Sequence, residues 1–476
     1  MSNLRTFSLG KITISDTPDL RKQHFSYICS EKSNKQTEVM NKEILRIALP
    51  NIISNITVPI MGIVGTMIAG HLGDSVATIG ALAIGVSVFN FIYWNCSFIR
   101  MGTSGITAQA YGAGDNRTTT LMLARATVVS FIVGMAILIL QRPVGELAIK
   151  MMNGNEMVAD YFYARVWAVP AGVLLFGLNG WLTGMQNAVI PMIVAIFVNI
   201  VHIACSLWFA FPLGMGIVGI AYASVVAQWM GVVITAAITW YRYGQSFVAI
   251  AWREVWDAGA MREFFSINRD IIIRTLCVCG AYTFFTAASA RMEDETILAV
   301  NTILLELFTL FSYMNDGFAY AAEALTGRFI GARDGRALRL CVKRCMMWCV
   351  VICVIYVSLY VGWWRELLGL FVEDGVDAEQ IIEYAGRYIG WIIIIPLAAS
   401  WPFMMDGIMV GATQSRIMRN SMLWATAAYF ILFYTLEPLI GNNALWLAFT
   451  SYMFLRGVFQ YFMSSRLQVV YRQAEE

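Results

Sequence analysis

The feature that most constrains this chain is a series of long apolar stretches separated by short polar connections. Each is about 20 residues long, the length needed to cross the hydrocarbon core of a bilayer. The twelve stretches lie near residues 46–70, 77–101, 119–140, 161–182, 190–212, 216–241, 270–290, 297–323, 341–363, 386–410, 420–440 and 444–464. Of the 476 residues 58% are hydrophobic and 13% are charged, and the mean hydropathy is +0.64. A soluble domain is about 45–50% apolar, so the sequence predicts an all-α integral membrane protein.

Basic residues are unevenly distributed between the two ends of these stretches. Most of the 33 Lys and Arg residues fall in the N-terminal segment and in the even-numbered connections. The opposite side carries only Arg142, Lys150, Arg165, Arg291, Arg365 and Arg387. Because cytoplasmic loops are enriched in Lys and Arg, we expect both termini in the cytosol of a multi-pass protein of a bacterial-type inner (plasma) membrane.

The spans and the polar segments divide the chain into five parts. We expect a disordered cytosolic tail, an N-terminal six-helix lobe, a cytosolic amphipathic linker, a C-terminal six-helix lobe and a cytosolic C-terminal tail, at 1–42, 43–241, 242–269, 270–465 and 466–476. The linker mixes Trp252 and Trp256 with charged residues, which is typical of a helix lying on a membrane surface. Met40 directly precedes the first span, so residues 1–39 are either part of the native chain or upstream of its start.

Short motifs of the first half recur in the second half in the same order. The pairs are HLGDSVATIGA from His71 and RMEDETILAVN from Arg291, YGAGDNR from Tyr111 and IGARDGR from Ile330, and NGWLTGMQ from Asn179 and DGIMVGATQ from Asp406. The offsets are 220, 219 and 227 positions. Six spans separate the copies, so the two lobes form a parallel repeat, as in many secondary transporters. The sequence has no GxxxxGK[ST] loop, which argues against ATP as the direct energy source.

Several longer motifs identify a family. LRIALPNIISNITVPIMGIVGTMIAGHLGD, FIRMGTSGITAQAYGAGD, INRDIIIRTL, LAVNTILLELFTLFSYMNDGFAYAAEALTGRFIGARDG and MMDGIMVGATQSRIMRNSM occur in order. They resemble the multidrug and toxin extrusion (MATE) family, in its DinF-like branch. The resemblance implies a twelve-helix, two-lobe antiporter that expels amphipathic, often cationic compounds in exchange for H⁺ or Na⁺. Relatives typically have aspartate where this chain has Gly65, and some have acids at the positions of Ser206 and Gln228, so the N-terminal lobe lacks an obvious intramembrane carboxylate.

Acidic residues inside the spans are the first candidates for function, because an unpaired charge in the bilayer is costly. Asp316 and Glu323 are seven residues apart on one face of the eighth span, where they could attract a cationic substrate or the coupling ion, or form a polar lobe interface. Glu306 lies ten residues before Asp316. It is either a buried proton site or a hydrogen-bonded structural residue.

Three further charged residues of the C-terminal lobe are candidates. Asp270 and Arg274 are four residues apart, which favours an intrahelical pair, with a gate or a tie to another cytosolic charge as the alternative. Asp406 is the repeat mate of Asn179, which favours a structural role such as capping a helix break, with substrate or ion binding as the alternative.

The N-terminal lobe offers polar candidates of a different kind. His202 is the one titratable group deep in a span there, with Asn199 on the same face and Gln228 nearby. A histidine titrates near neutral pH, so His202 is either a proton site or an interhelical hydrogen-bonding residue. Pro59 interrupts the backbone hydrogen bonds of the first span, which predicts a hinge or a static kink.

The remaining expectations concern chemistry and partners. We expect no catalytic residues, because the sequence has no HExxH helix and no GxSxG elbow. We expect no metal site and no cofactor besides the coupling ion, since four cysteines spaced every fourth residue drift about 40° per step around a helix. Small amphipathic organic substrates and membrane lipids are the expected partners of a monomer that binds no nucleic acid. The alternatives are a lipid-linked or metabolite exporter on the same fold and a non-transporting membrane receptor or scaffold.

Overall fold

The computed structural model describes residues 18–73, 75–152, 154–292, 295–371 and 376–475, and every regular element in those ranges is a helix. The chain divides into two compact units, Met1–Glu43 and Ile44–Glu476. The second unit contains both predicted lobes, and the functional residues below belong to it.

The helices of the N-terminal lobe follow the predicted spans closely. They are α1 (Pro18–Gly70), α2 (Ser75–Cys96), α3 (Phe98–Gly112), α4 (Asn116–Ile139), α5 (Gln141–Met151), α6 (Glu156–Arg165), a 3₁₀ turn (Val166–Ala168), α7 (Val169–Gly184), α8 (Val189–Ala210) and α9 (Gly216–Tyr243). The pairs α2/α3 and α6/α7 each form one candidate span.

The C-terminal lobe follows a short connection. Its helices, after the 3₁₀ turn Gly244–Ser246, are α10 (Trp252–Val255), α11 (Ala258–Ala290), α12 (Glu295–Gly331), α13 (Gly335–Gly369), α14 (Val376–Gly386), α15 (Ile389–Gly411), α16 (Ser415–Ile440), α17 (Asn442–Met463) and α18 (Gln468–Gln473).

Eleven helices in the described part of the chain are long and apolar enough to cross a membrane. The twelfth predicted span is α17, which has 22 residues. Its polar residues include Arg456 and Gln460, and both are buried against other helices of the lobe. The helix is therefore less apolar than the others because it supplies polar groups to the interior of the protein.

Two predicted segments differ from the structure. The expected disordered tail is helical from Pro18, where α1 begins, since its many Lys, Gln and Glu residues are good helix formers; residues 1–17 lie outside the described part. The expected surface helix 242–269 has different bounds in the structure. Asp257 accepts a hydrogen bond from the Ala260 N–H and caps α11, so the second half of this segment is the first part of a 33-residue helix.

The predicted repeat is visible in the turns that end the central helices. Gly114 and its repeat mate Arg333 both have positive φ, at +70° and +55°. The following residues, Asp115 and Asp334, donate their N–H groups to carbonyls five residues earlier and cap the next helix with their side chains. The bond from the Thr118 hydroxyl holds the pKa of Asp115 below its usual value.

The two lobes meet through glycines that also obey the repeat. A Cβ on Gly112 would collide with the carbonyl oxygen of Arg328, and a Cβ on Gly331 would collide with the carbonyl oxygen of Gln109. The two contacts are equivalent in the repeat, because Gly331 follows Gly112 and Arg328 follows Gln109 by 219 positions. Close backbone approach of this kind needs residues without a side chain. We call this region, where α3 and α12 touch near their C-terminal ends, the seam.

Candidate functional site

Asp406 is the centre of a buried network within the C-terminal lobe. It lies inside α15, and its side chain is 7% exposed. Arg274 of α11 donates a hydrogen bond to one carboxylate oxygen, and Gln460 of α17 donates to the other at 2.5 Å. Arg456, 2% exposed, has its Nη1 3.9 Å from the same carboxylate. The predicted helix-capping role of Asp406 is therefore wrong: α15 is continuous, and the carboxylate joins three helices.

Glu323 links the two lobes beside the seam. This residue of α12 is 1% exposed, and it accepts a hydrogen bond from the Ser104 hydroxyl of α3. The Nη1 atom of Arg100, also on α3, is 3.6 Å away. The Arg100 guanidinium lies 4.0 Å from the centroid of the Tyr320 ring. The carboxylate is thus held by a hydroxyl and a cation that both belong to the other lobe.

Asp316 lies between these two groups of charges. It is partly buried in α12, and no direct ion pair of its carboxylate is present among the described residues. The guanidinium groups of Arg274, Arg100 and Arg456 are within electrostatic range of it. The neighbouring Asn315 is fully buried, and both polar atoms of its amide lack a hydrogen-bond partner in the described part of the structure. The charges of Arg100, Arg274 and Arg456 therefore balance those of Asp316, Glu323 and Asp406. The amide next to Asp316, that of Asn315, lacks hydrogen-bond partners among the described residues.

Glu306 differs from the buried acid that the sequence predicts. Its side chain is exposed on α12. The residue is two turns before Tyr313, whose carbonyl accepts a hydrogen bond from Asn55 of α1 at 3.0 Å. The reading of Glu306 as a buried group is wrong, because the helix face that carries it is not covered by another element.

Asp270 and Arg274 do not form the favoured intrahelical pair. The fully buried Asp270 accepts from Arg419 Nη1 at 2.6 Å and from the Ser415 hydroxyl at 3.1 Å, both on α16. Arg269 contributes a longer contact of 3.4 Å. Arg274 binds Asp406 instead. The alternative reading of Asp270, a tie to another charge, describes the structure.

The polar candidates of the N-terminal lobe form a smaller network. His202 Nε2 is 2.9 Å from the Ser224 hydroxyl, which joins α8 to α9. Asn199 and Gln228 are partly buried, and the Gln228 Oε1 lacks a partner among the described residues. His202 thus makes the interhelical bond that was one of its two predicted roles, and the structure does not test the other.

Two further candidates lie along the first helix. Gly65 is buried, and an added Cβ would meet only Leu82 Cδ2 at 3.7 Å. Pro59 lies inside α1, which continues through it. The hinge at Pro59 stays a prediction.

Several buried arginines are not among the site residues that the sequence predicts. Arg100 and Arg456 lie in predicted spans, but they contribute to the prediction only as basic residues on the side of the termini. Arg165 counts as a charge of the opposite side, yet its Nη1 donates to the Tyr161 hydroxyl at 2.6 Å and its guanidinium lies 4.7 Å from the Phe89 ring centroid. Arginine within an apolar stretch is the signal that would find them, by the same cost argument that singles out the acids.

Metal ligands do not converge in the part of the chain that the structure describes. No group of three or more His, Cys, Asp or Glu side chains there is placed to hold an ion. The acids of the network are instead bound to arginines and amides.

A duplicated bundle of membrane-spanning helices, with charges buried between and within its halves, defines a polytopic membrane transporter. The MatE family model matches residues 50–208 and 271–435, once in each lobe. DNA damage-inducible protein F of Escherichia coli (strain K12) is 34% identical over 427 residues, which cover 88% of this chain and 90% of that protein. Multidrug and toxin extrusion protein 1 of Danio rerio is 23% identical over 320 residues, 65% of this chain and 52% of its own.

Solved structures have the same fold. The eukaryotic MATE transporter AtDTX14 superposes with a TM-score of 0.79 at 16% identity, over 92% of this chain and 99% of that one. An outward-facing multidrug resistance MATE family transporter gives a TM-score of 0.80 at 18% identity, over 90% and 96%. The chain belongs to the MatE family of multidrug and toxin extrusion transporters, whose members are transporters and not enzymes. The predicted resemblance and the twelve-helix, two-lobe fold are confirmed.

Proposed function

We propose that this protein is a secondary active exporter that expels small amphipathic or cationic compounds by alternating access, in exchange for H⁺ or Na⁺. Membership of the MatE family supports the transport class. The distribution of Lys and Arg along the sequence supports an inner-membrane orientation with both termini in the cytosol. In that orientation the seam lies at the cytosolic end, so the conformation described above is closed to the cytosol.

The observation that carries this proposal is the carboxylate of Glu323 bound across the seam. An ionised carboxylate accepts strong hydrogen bonds from Ser104 and attracts Arg100. Addition of a proton gives a neutral carboxyl group, which weakens both interactions and favours separation of the lobes at this end. A cation that replaces the proton has the same effect on charge. Loading of the carboxylate can thus drive the change from the cytosol-closed to the cytosol-open state.

Asp316 is suited to the substrate part of the cycle. It is partly accessible, and no partner in the described structure neutralises it directly. The buried amide of Asn315 and the ring of Tyr320 lie on the same helix. A carboxylate with aromatic and amide neighbours suits an amphipathic cation.

The test is gradient-driven flux of a fluorescent organic cation in proteoliposomes, run with a pH gradient and then with a Na⁺ gradient. We expect Asp316→Asn to abolish flux with insertion and thermal unfolding unchanged. Glu323→Gln should keep dye binding but lose its response to the gradient, because the neutral amide cannot take up a proton. Asp160→Asn is the control, since Asp160 is an exposed acid of α6 outside the network.

Three outcomes contradict the proposal. Full drug resistance of an exporter-deficient host that carries Asp316→Asn would remove Asp316 from the substrate path. Saturable dye binding without flux under either gradient would instead identify a receptor on a transporter fold. Flux of an anionic or lipid-linked probe in place of the cation would identify the other exporter class.

A further inference from the structure

A cavity of about 320 Å³ lies beside the seam, between α1, the turn that joins α7 to α8, and α9. One wall of this cavity is polar and the other is apolar, and both lie at one end of the helices. The lining residues are Arg46, Gln186, Asn187, Ala188, Val189, Ile190, Ile193, Ile238 and Arg242. Nothing in the transport cycle proposed above uses these residues.

The polar wall of the cavity is suited to an anion. Arg46 of α1 and Arg242 of α9 both have exposed side chains, and neither forms an ion pair with a carboxylate in the described part of the chain. No acidic residue is among the described lining residues. The first turn of α8, a helix of 22 residues, also borders the cavity, and the amino end of a helix carries partial positive charge. A phosphate group would meet two guanidinium groups here.

Gln186 connects the same wall to the other lobe. Its Nε2 donates to the carbonyl of Ala324 at 2.8 Å and to the carbonyl of Gly184 at 3.1 Å, which fixes the orientation of the amide. A ligand held against this wall is therefore coupled to the contact between the lobes.

The apolar wall and its surroundings place the cavity at a membrane surface. Ile190, Ile193 and Ile238 continue from the polar wall along α8 and α9. Trp240 and Tyr241 at the end of α9 are 72% and 92% exposed, which is typical of residues at the level of lipid headgroups. A soluble phosphate would use only the polar wall. A lipid would use both.

We propose that this cavity binds an anionic phospholipid. The phosphate lies between Arg46 and Arg242, and the acyl chains follow Ile193 and Ile238. Because Gln186 also contacts Ala324 of the other lobe, the bound lipid stabilises the closed seam. The inference does not depend on the coupling ion or on the exported compound.

The first experiment measures lipid affinity of the purified full-length protein, delipidated in detergent, by native mass spectrometry and thermal unfolding. Phosphatidylglycerol should bind and raise the melting temperature, and phosphatidylcholine should not. Near an anionic lipid each basic residue is worth about a factor of five, so Arg46→Gln/Arg242→Gln should bind phosphatidylglycerol about thirtyfold more weakly. The matched control is Arg336→Gln/Arg472→Gln, which removes two exposed arginines outside the cavity.

The second experiment separates a lipid from a soluble anion. Glycerol 3-phosphate carries a phosphate but no acyl chains, so it would use only the polar wall. It should bind the native protein more weakly than phosphatidylglycerol does.

Two results overturn the inference. The first is equal loss of phosphatidylglycerol binding in the cavity variant and in its arginine control. The second is arginine-dependent binding of glycerol 3-phosphate as tight as that of the lipid, which would assign the cavity to a soluble anion.

Discussion

The two lobes share a backbone plan but differ in how they bury charge. Their central turns and seam glycines match at constant offsets, as Gly112 and Gly331 show. In the C-terminal lobe, Arg274 and Asp406 form a buried ion pair. In the N-terminal lobe, the half-buried Arg165 is bound to the neutral hydroxyl of Tyr161 and to aromatic rings. Duplication has therefore preserved the close contacts between the lobes, while the charge chemistry has diverged.

In the proposed cycle, this difference gives the two lobes separate tasks. A carboxylate can change charge when a proton or cation arrives, whereas an arginine held by tyrosine keeps its charge. Relatives with aspartate at the position of Gly65 can place such a group in the first lobe. Here the intramembrane acids belong to the second lobe, and in the proposed cycle Glu323 carries their response to a cation to the seam.

The largest expected effect comes from breaking the ion pair of the C-terminal lobe. Arg274→Gln leaves the buried Asp406 without its closest cation, and removal of one partner from a buried pair costs about 3–5 kcal/mol. Arg165→Gln in the N-terminal lobe leaves no carboxylate without its partner, so the free energy of unfolding should fall by about 1–2 kcal/mol. Unfolding of both variants in mixed micelles measures the difference.

The matched control for this pair is the double variant Arg274→Gln/Asp406→Asn. It removes both charges, so it should recover part of the stability that Arg274→Gln loses. Equal destabilisation by Arg274→Gln and Arg165→Gln would show that the two lobes bury their arginines at the same cost, and the contrast between them would be wrong.

A smaller effect is expected where the lobes are alike. Gly112→Ala and Gly331→Ala each push a methyl group into a backbone carbonyl of the other lobe, and overpacking costs about 1–3 kcal/mol. Because the two positions are repeat mates, the losses in melting temperature should be similar. Gly62→Ala and Gly280→Ala are controls in helices with nothing within 4 Å of the new Cβ. A large effect at only one of the two seam glycines would contradict the symmetry.

The sequence predicts the positions of the helices well, because hydrocarbon thickness sets the length of an apolar stretch. The predicted span 190–212 is Val189–Ala210 in the structure, and 216–241 is Gly216–Tyr243. The failure at the linker has a local cause. Asp257 is the N-cap at which α11 begins, earlier than the apolar stretch predicts. The sequence indicates this cap only if the polar residues that follow Asp257 are also predicted to be helical.

The site was harder to predict, because its partners come from distant parts of the chain. Spacing along one helix suggests Asp270 with Arg274, but the structure pairs them with Arg419 and Asp406, 149 and 132 positions away. Such pairings depend on tertiary packing, which spacing does not encode. The acids themselves could be found, since their cost in a bilayer is a property of each residue alone.

The smallest expected effect tests the N-terminal lobe. His202→Ala and Ser224→Ala each remove one interhelical hydrogen bond, and such bonds in membrane proteins average about 0.6 kcal/mol. The losses should be similar, and the double variant should lose no more than either single variant, because both remove the same bond. Because the His202 ring bonds the Ser224 hydroxyl and the proposed coupling acids belong to the other lobe, flux in proteoliposomes should persist in His202→Ala at every pH where the native protein works. Loss of flux in this variant, with stability as expected, would indicate a proton site in the N-terminal lobe and would contradict the proposed division of tasks between the two lobes.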